Sequence, residues 1–135
     1  MKPEASALLA KSRECLEKAD GMLARCPDEA GREAYLAGLH AAQAPIVEKT
    51  GQIIKTHRGV QRELGRLTKD EPGFGSDLRA FLGRTYNLKA IADYEIGPGL
   101  LVTEERAAIA IADARRFLAA IVALMPEAGP DRAEG

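Results

Sequence analysis

The chain has no tryptophan, only 4% aromatic residues and just two cysteines among its 135 residues. The scarcity of aromatic residues argues against a β-sandwich, because strands favour aromatic and β-branched side chains. The apolar content of 46% is enough for one hydrophobic core built from Leu, Ile, Val and Ala. These features predict a single all-α domain.

The sequence lacks the patterns of a disulfide, a zinc site, a phosphate-binding loop and a membrane-spanning helix. Cys15 and Cys26 lie on one predicted helix, about 16 Å apart along its axis, which is too far for a disulfide. The sequence has neither the Cys/His spacing of a zinc site nor a glycine-rich phosphate-binding motif. It also has no run of about 18 apolar residues that could span a membrane. We therefore expect a cytoplasmic protein with free, buried thiols, no metal and no cofactor.

Apolar periodicity and helix-breaking residues predict five helices. The predicted helices are Pro3 to Arg25, Asp28 to Thr50 with Asp28 as N-cap, His57 to Thr68 capped by Thr56, Ser76 to Glu95 capped by Ser76, and a last helix capped by Thr103 that reaches Met125. Short loops between them favour an antiparallel up-down bundle. We expect this bundle to occupy residues 1–125 and a flexible tail to occupy residues 126–135.

The fourth predicted helix carries a lysine inside its apolar face. At 3.6 residues per turn, Lys89 falls between the directions of Leu78 and Leu82, and Asp93 follows one turn later. Because a buried ammonium group is costly unless it is paired, Lys89 must pair with Asp93 or line a cavity or an interface. Since the net charge is only -1, contact with nucleic acid has to rest on such local features.

Other polar residues have both a structural and a functional interpretation. Arg32 either extends outward from the first turn of its helix or belongs to a site. His40 and Gln43 are expected to be hydrogen-bonded core residues. The run Lys55-Thr56-His57 opens the third helix, where backbone donors could hold a phosphate and His57 could transfer a proton. The alternative is that His57 is an ordinary loop histidine.

Three segments carry a family resemblance, and they follow in the order AYLAGLHAA (residues 34–42), KTHRGV (residues 55–60) and LKAIADY (residues 88–94). In this order they resemble the small stand-alone HEPN proteins of bacteria and archaea. The resemblance covers roughly the whole chain up to Met125. Its more specific parts are the middle segment and the Ala-Asp-Tyr ending.

The resemblance implies a helical up-down bundle that forms a homodimer. Such proteins often occur beside a minimal nucleotidyltransferase in two-gene toxin–antitoxin or defence modules. Active members are metal-independent RNases that place an arginine and a histidine, four to six residues apart, at a dimer cleft. The arginine stabilises developing phosphorane charge, and the histidine acts as acid or base on the ribose 2′-hydroxyl. Some relatives accept a nucleotidyl group on a tyrosine, and Tyr94 is the candidate here.

This sequence departs from the nuclease motif. Arg84 is followed at the permitted positions by Lys89, Ala90 and Ile91, none of which is a histidine. Lys89 stands where this branch usually has arginine, so the positive charge is kept but the bidentate fork is lost. The candidate catalytic residues are Lys89, His57 and Asp93. The candidate contacts to a nucleotide or RNA are Lys55, Thr56, His57, Arg84 and Tyr94.

The sequence leaves three functions open. The first is a dimeric component of a HEPN–nucleotidyltransferase pair that binds a nucleotide or an RNA phosphate. The second is a divergent, metal-independent RNase toxin that leaves 2′,3′-cyclic phosphate ends. The third is a plain helical oligomerisation module, in which Lys89 and Asp93 form only a structural ion pair. The residues favour neither a toxin nor an antitoxin role.

Overall fold

A computed structural model describes residues 1–94 and 101–126 of the chain. Within these residues the chain forms five α-helices and no strand. The helices are α1 (Pro3–Met22), α2 (Pro27–Thr50), α3 (His57–Thr68), α4 (Ser76–Tyr94) and α5 (Glu104–Leu124). The predicted all-α bundle of five helices is therefore confirmed. No helix among the described residues is long and apolar enough to cross a bilayer.

Three helix ends lie where the sequence predicts them, because each depends on a local signal. Thr56 and Thr103 are N-caps, and their hydroxyl oxygens accept hydrogen bonds from the backbone N–H groups of Gly59 and Arg106. At the end of α2, Gly51 has a φ of 75°, the left-handed conformation that glycine adopts without steric cost.

Three other predictions about helix ends are wrong. Asp28 is not an N-cap, because Pro27 occupies the first position of α2, where its fixed φ is favourable and its missing N–H costs nothing. Ser76 is the first residue of α4 rather than its cap. The first helix ends at Met22, so Cys26 lies outside it and is exposed, in contrast to the buried thiol that was expected. The proline that follows disfavours a helical conformation at Cys26.

The central helix of the bundle is α2, which contacts all four other helices. Its faces are lined by small buried residues, so neighbouring helices approach closely. At Gly38 the approach is closest, since a Cβ there would lie 2.3 Å from the Phe81 ring of α4. The Phe81 ring stacks on Phe117 of α5 with centroids 4.8 Å apart, and Phe74 packs edge-on against Phe117. The few phenylalanines of the chain are thus concentrated in one place.

This packing brings the N-terminal half of α2, the first turn of α3 and the C-terminal half of α4 together. Contacts between Tyr35, His57 and Tyr86 join the three helices. The predicted end of the fourth helix at Glu95 lies outside the described residues, and so does all of the predicted tail except Pro126.

Candidate functional site

Two cations share one carboxylate where α2 meets α4. The Lys89 ammonium donates to Oδ2 of Asp93 at 2.7 Å, and Nε of Arg32 donates to Oδ1 at 2.8 Å. The hydrogen bond from Lys89 holds the pKa of Asp93 below its usual value, and the same bond raises the pKa of Lys89. All three groups are therefore charged near neutral pH, and together they carry one net positive charge.

Next to this ion cluster, Tyr35 and His57 form a hydrogen-bonded pair. The Tyr35 hydroxyl lies 2.8 Å from Nδ1 of His57. Burial, and then the neighbouring Tyr86 phenol, raise the pKa of Tyr35 to about 12, while burial and the nearby charge of Arg58 lower the pKa of His57. At neutral pH the phenol is therefore protonated and the imidazole is neutral, and the tautomer of His57 sets which of the two groups donates this hydrogen bond.

Tyr86 links the Tyr35–His57 pair to Lys89. Its ring stacks on His57 with centroids 4.2 Å apart and meets Tyr35 edge-on at 5.5 Å. The Lys89 ammonium lies 6.0 Å from the Tyr86 ring centroid and 5.7 Å from that of Tyr94. Tyr86 is 39% exposed and Tyr94 is 74% exposed, so both rings present surface to solvent.

We refer to these side chains together as the His57–Lys89 cluster. Its members come from three helices and are Arg32, Tyr35, His57, Tyr86, Lys89, Asp93 and Tyr94. Helical spacing explains how each helix contributes its share, because residues three or four positions apart lie on the same side of a helix. This spacing places Arg32 and Tyr35 on one side of α2, and it places Tyr86, Lys89 and Asp93 on one side of α4.

Four of the predicted site residues, Lys89, His57, Asp93 and Tyr94, belong to the cluster. The sequence does not identify Tyr35 or Tyr86 as site residues, and it indicates no specific partner for Arg32. The only sequence signal for these three residues is their helical spacing, because their contacts join helices that are far apart in the chain.

The remaining predicted site residues are used elsewhere or lie apart. The Thr56 hydroxyl accepts the capping hydrogen bond of α3, and the exposed Lys55 precedes it. The guanidinium of Arg84 lies 3.3 Å from the carboxylate of Asp77 in the first turn of its own helix and 3.7 Å from that of Asp113 on α5. The structure therefore does not bring Arg84 to the cluster.

The second histidine of the chain has a structural role. Nδ1 of His40 lies 3.0 Å from Oε1 of Gln43, whose amide nitrogen donates to the carbonyl oxygen of Ile54 at 2.9 Å. These bonds tie the segment before α3 to α2. Gln43 is buried, as expected of a hydrogen-bonded core residue, whereas His40 is only partly buried. Among the described residues, no group of three or more His, Cys, Asp or Glu side chains could hold a metal ion.

The HEPN domain family matches residues 5–125, which include every member of the cluster. The chain belongs to the HEPN family. A comparison with curated proteins found no match. HEPN membership agrees with the five-helix bundle, and it indicates a module that is often RNase-like or nucleotide-binding. In this HEPN domain, the predicted catalytic residues Lys89 and His57 lie on different helices, and both lie next to the ring of Tyr86.

Proposed function

We propose that this HEPN domain is the dimeric helical component of a two-gene toxin–antitoxin or defence-type module. It binds a nucleotidyltransferase partner, and the His57–Lys89 cluster binds a nucleotide or an RNA phosphate. The family supports the two-gene context, because small stand-alone HEPN proteins often occur in such pairs. The binding of phosphate rests on the cluster itself.

The observation that carries the binding proposal is the combination of charge and exposed aromatic surface. Arg32 and Lys89 share a single carboxylate, so one positive charge is left over. The exposed rings of Tyr86 and Tyr94 lie beside the Lys89 ammonium. A cation next to exposed aromatic rings suits a nucleotide, since the phosphate pairs with the cation while the base stacks on a ring.

Binding of a fluorescently labelled single-stranded RNA tests this proposal. Lys89→Met removes the unbalanced charge and leaves the Arg32–Asp93 pair in place, so we expect affinity to fall about 10- to 100-fold, the range for a hydrogen bond to a charged group. Lys11→Met is the matched control, because Lys11 is an exposed lysine on α1. Equal affinity of wild type and Lys89→Met would contradict the assignment of the site.

The dimer and the partner are tested separately. Sedimentation equilibrium of the purified chain should give twice the monomer mass, and co-purification should recover the nucleotidyltransferase encoded beside it. A monomer at micromolar concentration that retains no such protein would remove this part of the proposal.

A divergent RNase is the second candidate, because one observation favours it. In the tautomer whose Nδ1–H donates to the Tyr35 hydroxyl oxygen, the neutral His57 has a free Nε2, which is the state a general base requires. Lys89 would stabilise the charge that develops on the phosphate. This candidate predicts RNA cleavage in EDTA with 2′,3′-cyclic phosphate ends, lost in both His57→Ala and Lys89→Ala. Cleavage that is unchanged in both variants would eliminate it.

A further inference from the structure

The outer face of α3 carries a row of basic side chains that the cluster does not use. All of them are exposed, and successive members are three or four positions apart. The row consists of Lys55, Arg58, Arg62, Arg66 and Lys69. The last four fall within an arc of about 80° around the helix, and the whole row spans about 20 Å. We refer to these five residues as the basic ridge.

The ridge is a local excess of positive charge in a chain whose net charge is -1. Arg66 pairs with Glu63. Across residues 1–94 and 101–126, no carboxylate lies within ion-pair distance of the other four ridge residues, so their charges face solvent unbalanced. Packing does not require this arrangement, because α3 contacts the bundle through its opposite face, which includes Val60 and Leu64.

The ridge starts in the same turn of α3 as His57, but His57 projects from the side of the helix that carries Val60 and Leu64, about 100° around the axis from Arg58. His57 lies between Lys55 and Arg58 in the first turn of α3, and its ring stacks on Tyr86. Arg58 is the next residue after His57, and after burial its charge is the second cause of the lowered pKa of His57. A chain of phosphates that leaves the exposed tyrosines must therefore pass around the first turn of α3 to reach Arg58, and from there the exposed cations follow one another along the helix.

We propose that the basic ridge binds the phosphate backbone of a single-stranded polynucleotide, one end of which lies in the His57–Lys89 cluster. This inference rests on the proposed function and assigns the ligand as a chain of several nucleotides rather than a free nucleotide. A single strand fits best, because its unpaired bases can stack on Tyr86 and Tyr94 while its backbone follows the cations.

An acidic membrane surface fits the ridge less well. Helices that bind membranes in this way combine basic residues with exposed apolar side chains that enter the lipid. Among the described residues, the large exposed apolar side chains are Ile53, Tyr86, Tyr94, Leu101, Ile109 and Val122. None of them lies on α3.

Fluorescence anisotropy with labelled uridine oligonucleotides of two and twelve nucleotides tests the ridge. Wild type should bind the longer oligonucleotide more tightly, with a steep salt dependence. The variant Arg58→Gln/Arg62→Gln should keep its affinity for the dinucleotide but lose most of the gain with length. Its slope of log K against log salt should be smaller by about 1.4, which is about 0.7 for each lost phosphate contact on a single strand.

The matched control is Lys11→Gln/Arg13→Gln, which removes two exposed charges from α1. It should behave as wild type with both oligonucleotides, and circular dichroism should show that both double variants are folded. A wild-type protein that gains nothing from the longer oligonucleotide overturns the ridge and leaves the proposed function standing. An unchanged salt slope in Arg58→Gln/Arg62→Gln would also overturn the ridge and leave the proposed function standing.

Two further outcomes separate the other possibilities. If neither oligonucleotide binds wild type, the proposed function fails and the ridge fails with it. If phosphatidylserine vesicles bind wild type but not Arg58→Gln/Arg62→Gln, while RNA binding is the same in both, the ridge is a lipid-binding surface and the proposal is wrong.

Discussion

Removing Asp93 should be more harmful to stability than removing Lys89, although the two residues form one ion pair. The reason is that Asp93 also binds Arg32. In Lys89→Met the carboxylate keeps its hydrogen bond to Nε of Arg32, at 2.8 Å. In Asp93→Asn both cations stay beside each other without a counter-charge.

The structure sets the size of this asymmetry. Arg32 and Lys89 each lie within 2.8 Å of the same carboxylate, so the two positive charges are close neighbours. The side chains of Arg32, Lys89 and Asp93 are between 21% and 33% exposed. The effective dielectric constant around these charges therefore lies between that of water and that of a protein interior. We expect Asp93→Asn to lower the free energy of unfolding by about 1–2 kcal/mol. Lys89→Met should change it by less than about 0.5 kcal/mol.

Urea denaturation of the two variants and wild type at low and high salt measures the difference. The cost of Asp93→Asn should decrease at high salt, because the remaining repulsion between the two cations is screened. If Lys89→Met were as destabilising as Asp93→Asn, the description of Asp93 as the shared partner of two cations would be refuted. A folded Lys89→Met protein with unchanged RNA binding would favour a plain structural ion pair.

Four further variants test the packing and the Tyr35–His57 pair. Gly38→Ala should lower the free energy of unfolding by about 1–3 kcal/mol, because its Cβ would lie 2.3 Å from the Phe81 ring. Gly65→Ala is the control: its Cβ would meet nothing within 4 Å, so it should raise the free energy of unfolding by up to about 1 kcal/mol. Urea denaturation measures both changes. Wild type should lose stability as pH rises from 10 toward 12, since the unfolded chain releases the Tyr35 proton first, and Tyr35→Phe should lack this part of the loss. Because the pKa of His57 is lowered on folding, unfolding takes up its proton as pH falls below about 6.5, so His57→Gln should remove that decline in stability. Identical pH profiles for variant and wild type would contradict either assignment.

The Lys89–Asp93 pair and two helix caps, which were predicted from single helices, agree with the structure. Lys89 and Asp93 are four positions apart, so their pairing depends only on helical geometry. Thr56 and Thr103 cap their helices through backbone groups three residues away. The failure at Asp28 has an equally local cause, because the preceding proline takes the first position of the helix.

The parts that could not be predicted depend on which helices face each other. Arg32 reaches Asp93 across 61 positions of sequence, and Tyr35 reaches His57 across 22. Periodicity shows which residues share a face, but it does not show which neighbour that face meets. For the same reason Arg84 is a candidate in the sequence, while in the structure Asp113 of α5 lies close to its guanidinium.

The most direct test of the central claim is an NMR titration of the isotopically labelled protein with a single-stranded dinucleotide in EDTA. If the His57–Lys89 cluster is a nucleotide site, the largest amide shifts should fall at residue 57 and at residues 86–94, with the His57 ring signals moving in parallel. Shifts confined to other helices, or no shifts at millimolar dinucleotide, would contradict the assignment of this cluster as the binding site.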